Sequence, residues 1–252
     1  MISLAGKAAV VTGGSRGIGA ATVKLFARAG ADVVFSYRRD REAATQVGQE
    51  ARKHGTRIES FKADSGSMAD AKRLIEFARD RLGRIDILVA NAGVWNSEDI
   101  TIEHLTERDW DEMVRVNLKG VYTVIHFTIP HMISQGGGRI VAVSSVAGQR
   151  GTPLHSHYSA TKGGVISLAK ALSAELAGHN ILVNCVAPGF VDTDILKPAS
   201  KDKWKRWLAA YPLNRVATPE EVAGPILFAV SDLATFITGE VINVNGGSFL
   251  CG

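Results

Sequence analysis

Short apolar runs alternate with longer amphipathic segments along the whole chain. The apolar runs are rich in Val, Ile, Leu and Ala, and they predict strands over residues 8–12, 32–37, 57–63, 85–91, 139–144, 181–186 and 241–244. Most of them are continuously apolar, as expected for strands that are covered on both faces. Helices are predicted over 18–29, 67–82, 110–133 and 158–177. Because alternating strands and helices imply right-handed crossovers, the chain is predicted to form an α/β fold with a doubly wound parallel sheet of about seven strands and helices on both faces.

The predicted elements follow one another without a linker, an internal repeat or a low-complexity tract. A single domain over residues 1–252 is therefore expected, since single-sheet folds commonly reach this length. The connection over 188–217 is too long for a plain loop. Its apolar residues at helical spacing are Trp204, Trp207, Leu208 and Tyr211. This stripe predicts a substrate lid or, alternatively, a surface helix that packs on its own domain.

A glycine-rich loop joins the first predicted strand to the first predicted helix. Glycines at this place let the chain turn sharply and let the backbone approach a pyrophosphate, to which the start of the helix offers free N–H groups. Such a loop alone is weak evidence, but its position between strand one and helix one strongly indicates a dinucleotide. The sequence therefore predicts a Rossmann-type domain with cofactor contacts from Gly13, Ser15, Arg16, Gly17, Ile18 and Gly19.

Tyr158 and Lys162 lie four residues apart in a predicted helix, so both side chains project from one face. An ammonium group beside a phenol favours the phenolate, and it should lower the phenol's pKa from its ordinary value of about 10. Tyr158 would then act as an acid–base group near neutral pH. A tyrosine and a lysine at this spacing are common by chance. The pair becomes significant because Ser144 and Ser145 end predicted strand five, at the edge where ligands bind in open α/β sheets.

Together these motifs resemble the short-chain dehydrogenase/reductase family over nearly the whole chain. The loop glycines follow the spacing TGxxxGxG, and a second motif of that family follows predicted strand four. The resemblance implies a catalytic set that consists of Asn117, Ser145, Tyr158 and Lys162. It also implies further cofactor contacts from Asp64, Asn91, Ala92, Gly93, Tyr158, Lys162, Pro188, Gly189 and Thr193.

In the mechanism that this resemblance implies, a nicotinamide delivers a hydride to a carbonyl carbon while Tyr158 protonates the oxygen. Ser145 stabilises the developing alkoxide by a hydrogen bond. Lys162 holds the nicotinamide ribose and tunes Tyr158, and Asn117 positions a water that connects Lys162 to solvent. Asp64 lies against the adenine amino group. Oxidation of an alcohol follows the same path in reverse.

The end of predicted strand two indicates which dinucleotide is preferred. A carboxylate there would accept hydrogen bonds from the ribose 2′-hydroxyl of NAD. The strand ends instead with Ser36 and Arg38, which would receive the 2′-phosphate of NADP, and the resemblance adds Arg16 as a second cation. A charge-assisted hydrogen bond contributes about 1.5–3 kcal/mol, so NADP(H) is the predicted cofactor. The alternative is that Arg38 and Arg39 are solvated loop residues.

The predicted function is therefore that of an enzyme, an NADP-dependent oxidoreductase acting on a small-molecule carbonyl or secondary alcohol. Within the family the chain most resembles the 3-oxoacyl-[acyl-carrier-protein] reductases and related carbonyl reductases, which adds a 3-oxoacyl thioester to the candidate substrates. Carrier-dependent members often place arginines beside the mouth of the site, before strands five and six, where residues 135–138 and 178–180 contain none. Sugars, polyols, steroids and quinones are alternative substrates. A non-enzymatic NADP(H) sensor is the alternative from another functional class.

The remaining expectations concern partners and location. A net charge of +4 without a run of Lys and Arg gives no sign of nucleic-acid binding. No apolar run approaches the length of a membrane span and no leader is recognisable, so a cytoplasmic protein is expected. The histidines and cysteines lack the spacing of a metal site. The resemblance further implies a homotetramer in which the last strand and the C-terminal loop pack across a subunit interface.

Overall fold

The computed structural model describes residues 2–196, 201–209 and 211–250. Within these residues, backbone hydrogen bonds join seven parallel strands into one sheet. The strands are Ala8–Val11 (β1), Asp32–Tyr37 (β2), Ile58–Lys62 (β3), Ile87–Ala90 (β4), Gly138–Val143 (β5), Ile181–Pro188 (β6) and Val241–Val244 (β7). Every predicted strand is present, and its ends agree with the structure to within two residues. The predicted doubly wound parallel sheet is confirmed.

Helices connect the strands. The α-helices are Gly17–Arg28 (α1), Arg41–Arg52 (α2), Met68–Leu82 (α3), Glu107–Val114 (α4), Gly120–Ser134 (α5), Val146–Arg150 (α6), Ser156–Leu176 (α7), Lys201–Ala209 (α8) and Pro219–Val230 (α9). Single 3₁₀ turns occur at Ile102–His104, Ala177–His179 and Asp232–Ala234. In the described part of the chain, no helix is both long enough and apolar enough to cross a membrane.

The helix predicted over 110–133 is not one continuous α-helix. Between α4 and α5 the chain makes a π-helical turn over Arg115–Lys119. Such turns occur inside α-helices, frequently at functional sites, and apolar periodicity over a long segment does not resolve them. The sequence pattern also does not predict α2, because the residues that this helix buries are mostly small, namely Ala44, Val47, Gly48 and Ala51.

The order of the strands creates the site. Across the sheet they run β3-β2-β1-β4-β5-β6-β7, so the chain builds outward from β1 in one direction and then from β4 in the other. Val10 in β1 pairs with both Val34 in β2 and Leu88 in β4. This reversal opens a crevice above the carboxyl ends of β1 and β4, where ligands bind in sheets of this topology.

Two hydrophobic clusters cover the two faces of the sheet. In β1, Ala9 and Val11 face the cluster that contains α1, α2 and α9, whereas Ala8 and Val10 face the cluster that contains α3, α5 and α7. Burying an aliphatic side chain contributes about 1.5–3 kcal/mol, so both faces favour apolar residues. This double-sided burial explains why the strand runs are continuously apolar rather than alternating.

Candidate active site

A cavity of about 570 Å³ crosses the carboxyl ends of the central strands. It extends from the glycine loop to the start of α7, and most of the predicted site residues line it. Those residues are Gly13, Ser15, Arg16, Gly17, Ile18, Ser36, Arg38, Asp64, Asn91, Ala92, Gly93, Ser145, Tyr158, Lys162, Pro188, Gly189 and Thr193. Gly19 and Asn117 are not among the lining residues.

The glycine loop lies against the chain that follows β4. Gly13 has φ +69° and no space for a side chain, because a Cβ atom there would lie 3.0 Å from the Ala92 Cα atom. A Cβ atom on Gly19 would collide with the Gly13 carbonyl oxygen, so glycine at this position lets α1 pack against the loop. The Asn91 Nδ2 atom donates a hydrogen bond to the Thr12 carbonyl oxygen at 2.9 Å. Thr12 was not predicted as a site residue, yet its hydroxyl accepts the Asn91 and Ala92 N–H groups at 3.0 Å.

The start of α1 has no side-chain cap. Arg16 precedes the helix and makes no capping hydrogen bond, whereas Asp40, Ser67 and Thr106 cap α2, α3 and α4 with their side chains. The first N–H groups of a helix need a partner, and an uncapped start together with the helix dipole favours an anion. Since Arg16 and Gly17 line the cavity, the loop and helix fit a pyrophosphate group.

At the end of β2, Ser36 and Arg38 were predicted to receive the 2′-phosphate of NADP, and the structure gives both of them protein partners. The Ser36 hydroxyl is buried and accepts a hydrogen bond from the Gly13 N–H at 3.3 Å, so it supports the glycine loop. Arg38 lines the cavity but is already engaged, with its Nε atom 3.4 Å from Asp64 Oδ2 and its Nη1 atom 3.6 Å from Glu112 Oε1. Arg16 and Arg39 line the cavity and form no ion pair with any described residue. Arg39 is therefore a cation at this site that the sequence prediction missed.

Asp64 is held in a network of charges. Its Oδ1 atom accepts a hydrogen bond from Arg115 at 3.1 Å, and Arg115 also donates to Glu112 at 2.7 and 2.9 Å. Burial alone would raise the pKa of Asp64, but the Gly66 N–H and the Arg115 guanidinium hold that pKa below its usual range. The carboxylate is therefore charged at neutral pH, at the end of the cavity where the adenine contact is predicted.

The two serines that end β5 have different environments. The Ser145 side chain begins α6 by accepting the Ala147 N–H at 3.1 Å, and it is hydrogen-bonded to the Tyr158 hydroxyl. The Ser144 hydroxyl instead donates to the Lys162 carbonyl oxygen at 2.8 Å. Ser145 is thus the serine that meets Tyr158, whereas Ser144 holds α7 against β5.

The electrostatics of Tyr158 and Lys162 correct one prediction. Burial raises the pKa of Tyr158 to about 12, although the hydrogen bond with Ser145 acts in the opposite direction. Burial lowers the pKa of Lys162 to about 8. The prediction that Lys162 makes the phenol more acidic is wrong for this structure, because the Nζ atom donates to the Val143 carbonyl oxygen at 2.9 Å and lies 5.8 Å from the centre of the Tyr158 ring.

Asn117 lies in the π-helical turn and is fully buried. Its Oδ1 atom accepts the Val94 N–H at 2.8 Å, and its Nδ2 atom donates to the Val94 carbonyl oxygen at 2.8 Å. A Cβ atom on Gly93 would lie 3.3 Å from Asn117 Oδ1 and 3.4 Å from Lys162 Nζ. The turn therefore brings Asn117 close to Lys162, next to the Gly93 backbone that lines the cavity.

Aromatic rings dominate the other end of the cavity, and some of them were not predicted from the sequence. The rings that line this end are those of Trp95, His155, Tyr158, Phe190, Trp207 and Tyr211. The helical stripe predicted Trp207 and Tyr211, but no spacing in the sequence indicated Trp95 or Phe190. Residues 197–200 and 210 of the predicted lid lie outside the described residues.

No three side chains of His, Cys, Asp or Glu converge on a possible metal position in the residues that the structure describes. The cavity instead combines a backbone-lined phosphate region, a hydrogen-bonded phenol and an aromatic chamber. This combination suits a dinucleotide and an organic substrate in adjacent positions.

Comparison with known proteins agrees with this geometry. A family model described as enoyl-(acyl carrier protein) reductase matches residues 13–248. The curated 3-oxoacyl-[acyl-carrier-protein] reductase of Thermotoga maritima is 40% identical over 244 residues, which are 97% of this chain and 98% of the relative. The enzyme of the same name from Aquifex aeolicus is 40% identical over 248 residues, which are 98% of this chain and 99% of the relative.

Solved structures give the same result. A short chain dehydrogenase from Burkholderia cenocepacia, determined in complex with NADP, has a TM-score of 0.90 and 32% identity, covering 97% of this chain and 98% of that one. A dehydrogenase/reductase from Sinorhizobium meliloti has a TM-score of 0.92 and 34% identity, covering 98% of this chain and 97% of that one. The chain therefore belongs to the short-chain dehydrogenase/reductase family of oxidoreductases.

Proposed function

We propose that this oxidoreductase uses NADP(H) and transfers a hydride between the nicotinamide and the carbon of a carbonyl or secondary alcohol. The observation that carries the proposal is that Ser145 and Tyr158 line the same cavity as the glycine loop, with Ser145 close enough to the Tyr158 hydroxyl to lower its pKa. Lys162 reaches that part of the cavity from one helical turn away. Hydride transfer to a carbonyl needs a dinucleotide site and a proton donor within reach of one substrate oxygen.

The residues of the cavity fit the cofactor. A side chain on Gly13 would crowd the Ala92 backbone, and the uncapped start of α1 offers N–H groups to the pyrophosphate. We assign Asp64 to the adenine end, and Lys162 and Thr193 to the nicotinamide end. When bound, the nicotinamide supplies or accepts the hydride.

The charges around the tip of β2 support a preference for NADP(H). Arg16, Arg38 and Arg39 line this end, and Asp40, the carboxylate that follows them, caps α2 by accepting the Ala43 N–H at 2.9 Å. A 2′-phosphate would therefore meet cations rather than a free carboxylate. The related Burkholderia structure, which holds NADP, agrees with this assignment.

The chain's own residues divide the chemistry. Tyr158 donates a proton to the carbonyl oxygen during reduction, and a pKa of about 12 keeps the phenol in its proton-donating form at neutral pH. Ser145 donates a hydrogen bond to the same oxygen and stabilises its developing charge. Asn117 fixes the Gly93–Val94 backbone beside Lys162, and its second Oδ1 lone pair would hold a water that returns protons to Lys162.

A 3-oxoacyl thioester is the second candidate substrate, and the two curated relatives at 40% identity favour it by their names. Residues 135–138 and 178–180 contain no arginine, but this does not count against a thioester substrate, because these segments precede β5 and β6. They lie at the amino ends of the strands, on the opposite edge of the sheet from the cavity. Residues at those positions therefore do not lie at the mouth of this chain's own site.

The proposal is tested by following the absorbance of NADPH at about 340 nm with a panel of ketones, aldehydes and 3-oxoacyl thioesters, and the reverse reaction with alcohols. Oxidation of NADPH that depends on a carbonyl compound is the expected result. Binding of NADPH without turnover of any compound would instead favour a cofactor sensor. Equal efficiency with NADH and NADPH at matched concentrations would overturn the cofactor preference.

The lid, the assembly and the location remain predictions that accompany this function. Trp207 lies on α8 and lines the cavity, which supports a substrate lid within residues 188–217 of a single domain. Leu233 and Phe236, which precede β7, are 71% and 104% exposed, and exposed apolar groups favour a subunit contact such as a homotetramer would supply. Light scattering of the purified protein tests the tetramer, and microscopy of a tagged chain tests the cytoplasmic location.

A further inference from the structure

We infer that the aromatic chamber of this site selects a ketone whose carbonyl carbon carries a flat, conjugated group such as an aryl ring. The chamber is the part of the cavity lined by Trp95, His155, Phe190, Trp207 and Tyr211. This inference rests on the proposed function, since it assumes that the reacting carbonyl oxygen meets Tyr158 and Ser145. It adds a substrate class that the phosphate region and the acid–base pair do not specify.

One wall of the chamber stands directly beside the reacting position. The ring centres of Trp95 and Tyr158 are 6.4 Å apart in an edge-on arrangement, and the ring centres of Trp95 and His155 are 5.0 Å apart. A group attached to the carbon whose oxygen meets Tyr158 therefore lies about one ring away from Trp95. Aromatic rings attract one another in edge-on and offset-stacked arrangements, beyond the effect of buried area.

The second wall comes from the segment after β6. Phe190 stacks on Trp207 with ring centres 4.5 Å apart, and the Trp207 ring centre lies 6.0 Å from that of Trp95. The Phe190 N–H donates to the Tyr211 hydroxyl at 2.8 Å, and the buried Tyr211 leaves no room for a side chain on Gly189. These contacts hold Phe190 on Trp207, and Trp207 in turn touches Trp95, so the rings form one connected aromatic lining whose positions are set by the fold.

The charged groups of this half already have protein partners. The His155 Nε2 atom lies 3.5 Å from Asp99 Oδ1, and an Arg150 Nη1 atom donates to the Ser248 carbonyl oxygen at 3.3 Å. These contacts hold both groups on the protein itself. Selectivity in this half therefore comes from the rings, and a rigid planar group gains more there than a flexible alkyl chain, which loses rotamer freedom on binding.

The experiment compares three 3-oxo esters that share the same reacting group and differ in the substituent on the ketone. They are ethyl benzoylacetate, its cyclohexyl analogue and ethyl 3-oxohexanoate. With NADPH, kcat/KM for the phenyl ester is expected to exceed that for the cyclohexyl ester by about tenfold. Conjugation makes the phenyl ketone intrinsically less reactive, so such a preference would come from the protein. A ratio near one, or a preference for the alkyl ester, would overturn the inference.

Variants locate the origin of the ratio. Trp95→Leu and, independently, Trp207→Leu are expected to reduce the phenyl-to-cyclohexyl ratio to within about twofold of one. Trp110→Leu is the matched control, because Trp110 lies on α4 outside the cavity and should leave the ratio unchanged. Unaltered NADPH binding and melting temperature establish that each variant is folded. A tenfold ratio that persists in both chamber variants would overturn the inference.

Calorimetric binding of the three esters to the complex with NADP⁺ separates this inference from the proposed function. Tenfold tighter binding of the phenyl ester, lost in Trp95→Leu, supports the aromatic chamber even if no hydride is transferred, in which case only the proposed reaction fails. Equal binding of all three esters together with their reduction overturns the chamber and leaves the proposed reaction standing. Efficient reduction of an alkyl 3-oxoacyl carrier-protein thioester alone would point to that substrate and also overturn the chamber.

Discussion

The two halves of the cavity are built from different parts of the chain. The phosphate half consists mainly of backbone, with glycines that have no room for a side chain and a helix start that lacks a side-chain cap. The chamber half consists of aromatic side chains from three separate parts of the chain. They are Trp95 after β4, His155 before α7, and Phe190, Trp207 and Tyr211 after β6. A half made of backbone needs particular residues at fixed spacing, whereas a half made of side chains needs only bulk in the right place. The first half is therefore common to many substrates, and the second can differ from one enzyme to another.

The largest expected effect comes from Tyr158→Phe, because Tyr158 stands where the two halves meet. Removing the hydroxyl removes the proton donor, and kcat should fall by about 10³-fold. The dissociation constant of NADPH, measured by fluorescence titration, should change by less than about twofold. Retained turnover would mean that Tyr158 is not the proton donor, and that the reaction does not take place where the two halves of the cavity meet.

A comparison of Ser145→Ala with Ser144→Ala tests which of the two serines serves the reaction and which one supports the fold. Ser145 is hydrogen-bonded to Tyr158, so its loss should lower kcat by about 10²-fold. Ser144 is hydrogen-bonded to the Lys162 carbonyl oxygen, so its loss should mainly lower the free energy of unfolding, by about 1 kcal/mol. Steady-state kinetics and urea unfolding of the two variants measure the contrast. Similar losses of kcat in both would contradict the assignment of Ser145.

Arg39→Gln and Arg16→Gln test whether the phosphate half alone recognises the 2′-phosphate. Each arginine lines the cavity without an ion pair among the described residues, and each variant should weaken NADPH binding about tenfold while leaving NADH binding unchanged. Isothermal titration with both cofactors measures this difference. A variant that alters the choice between the phenyl and cyclohexyl esters would break the proposed independence of the two halves.

Lys162→Met is expected to raise the stability of the fold while it removes activity. Burial lowers the pKa of Lys162 from 10.5 to about 8, so below pH 8 the folded protein keeps a charge that burial disfavours. The wild type therefore gains stability as the pH rises from about 8 to 10.5, where the unfolded chain still binds the proton that the folded chain has released. At pH 6 the variant should be about 2 kcal/mol more stable, or about 5 °C higher in melting temperature, while it loses activity.

Calorimetry at pH 6 and pH 10 checks this sign. The difference between Lys162→Met and the wild type should shrink toward zero at the higher pH. A variant that is less stable at pH 6 would mean that the hydrogen bond to the Val143 carbonyl oxygen outweighs the cost of burying the ammonium group. Lysine at this position would then stabilise the fold as well as serve the reaction.

Much of the fold and of the phosphate half could be predicted because each rests on local rules. Continuous apolar runs between helices predict a parallel sheet, and the loop around Gly13 and Gly17 is required by a close approach of backbone. The π-helical turn at Arg115–Lys119 and the small-residue helix α2 could not be predicted, since neither changes the apolar periodicity in a recognisable way. Trp95 gave no signal either, because its partners come from segments far away in the chain.

The sequence by itself determined the order of the elements, the dinucleotide loop and the presence of a phenol and an amine one helical turn apart. Only the tertiary structure decided that Ser144 is hydrogen-bonded to the Lys162 carbonyl oxygen, and that Arg38 is engaged by acidic neighbours while Arg39 is not. It also decided that burial raises the pKa of Tyr158 instead of the nearby amine lowering it. Spacing along a helix fixes which side chains are neighbours, but burial and the direction of each polar group depend on what the rest of the chain packs around them.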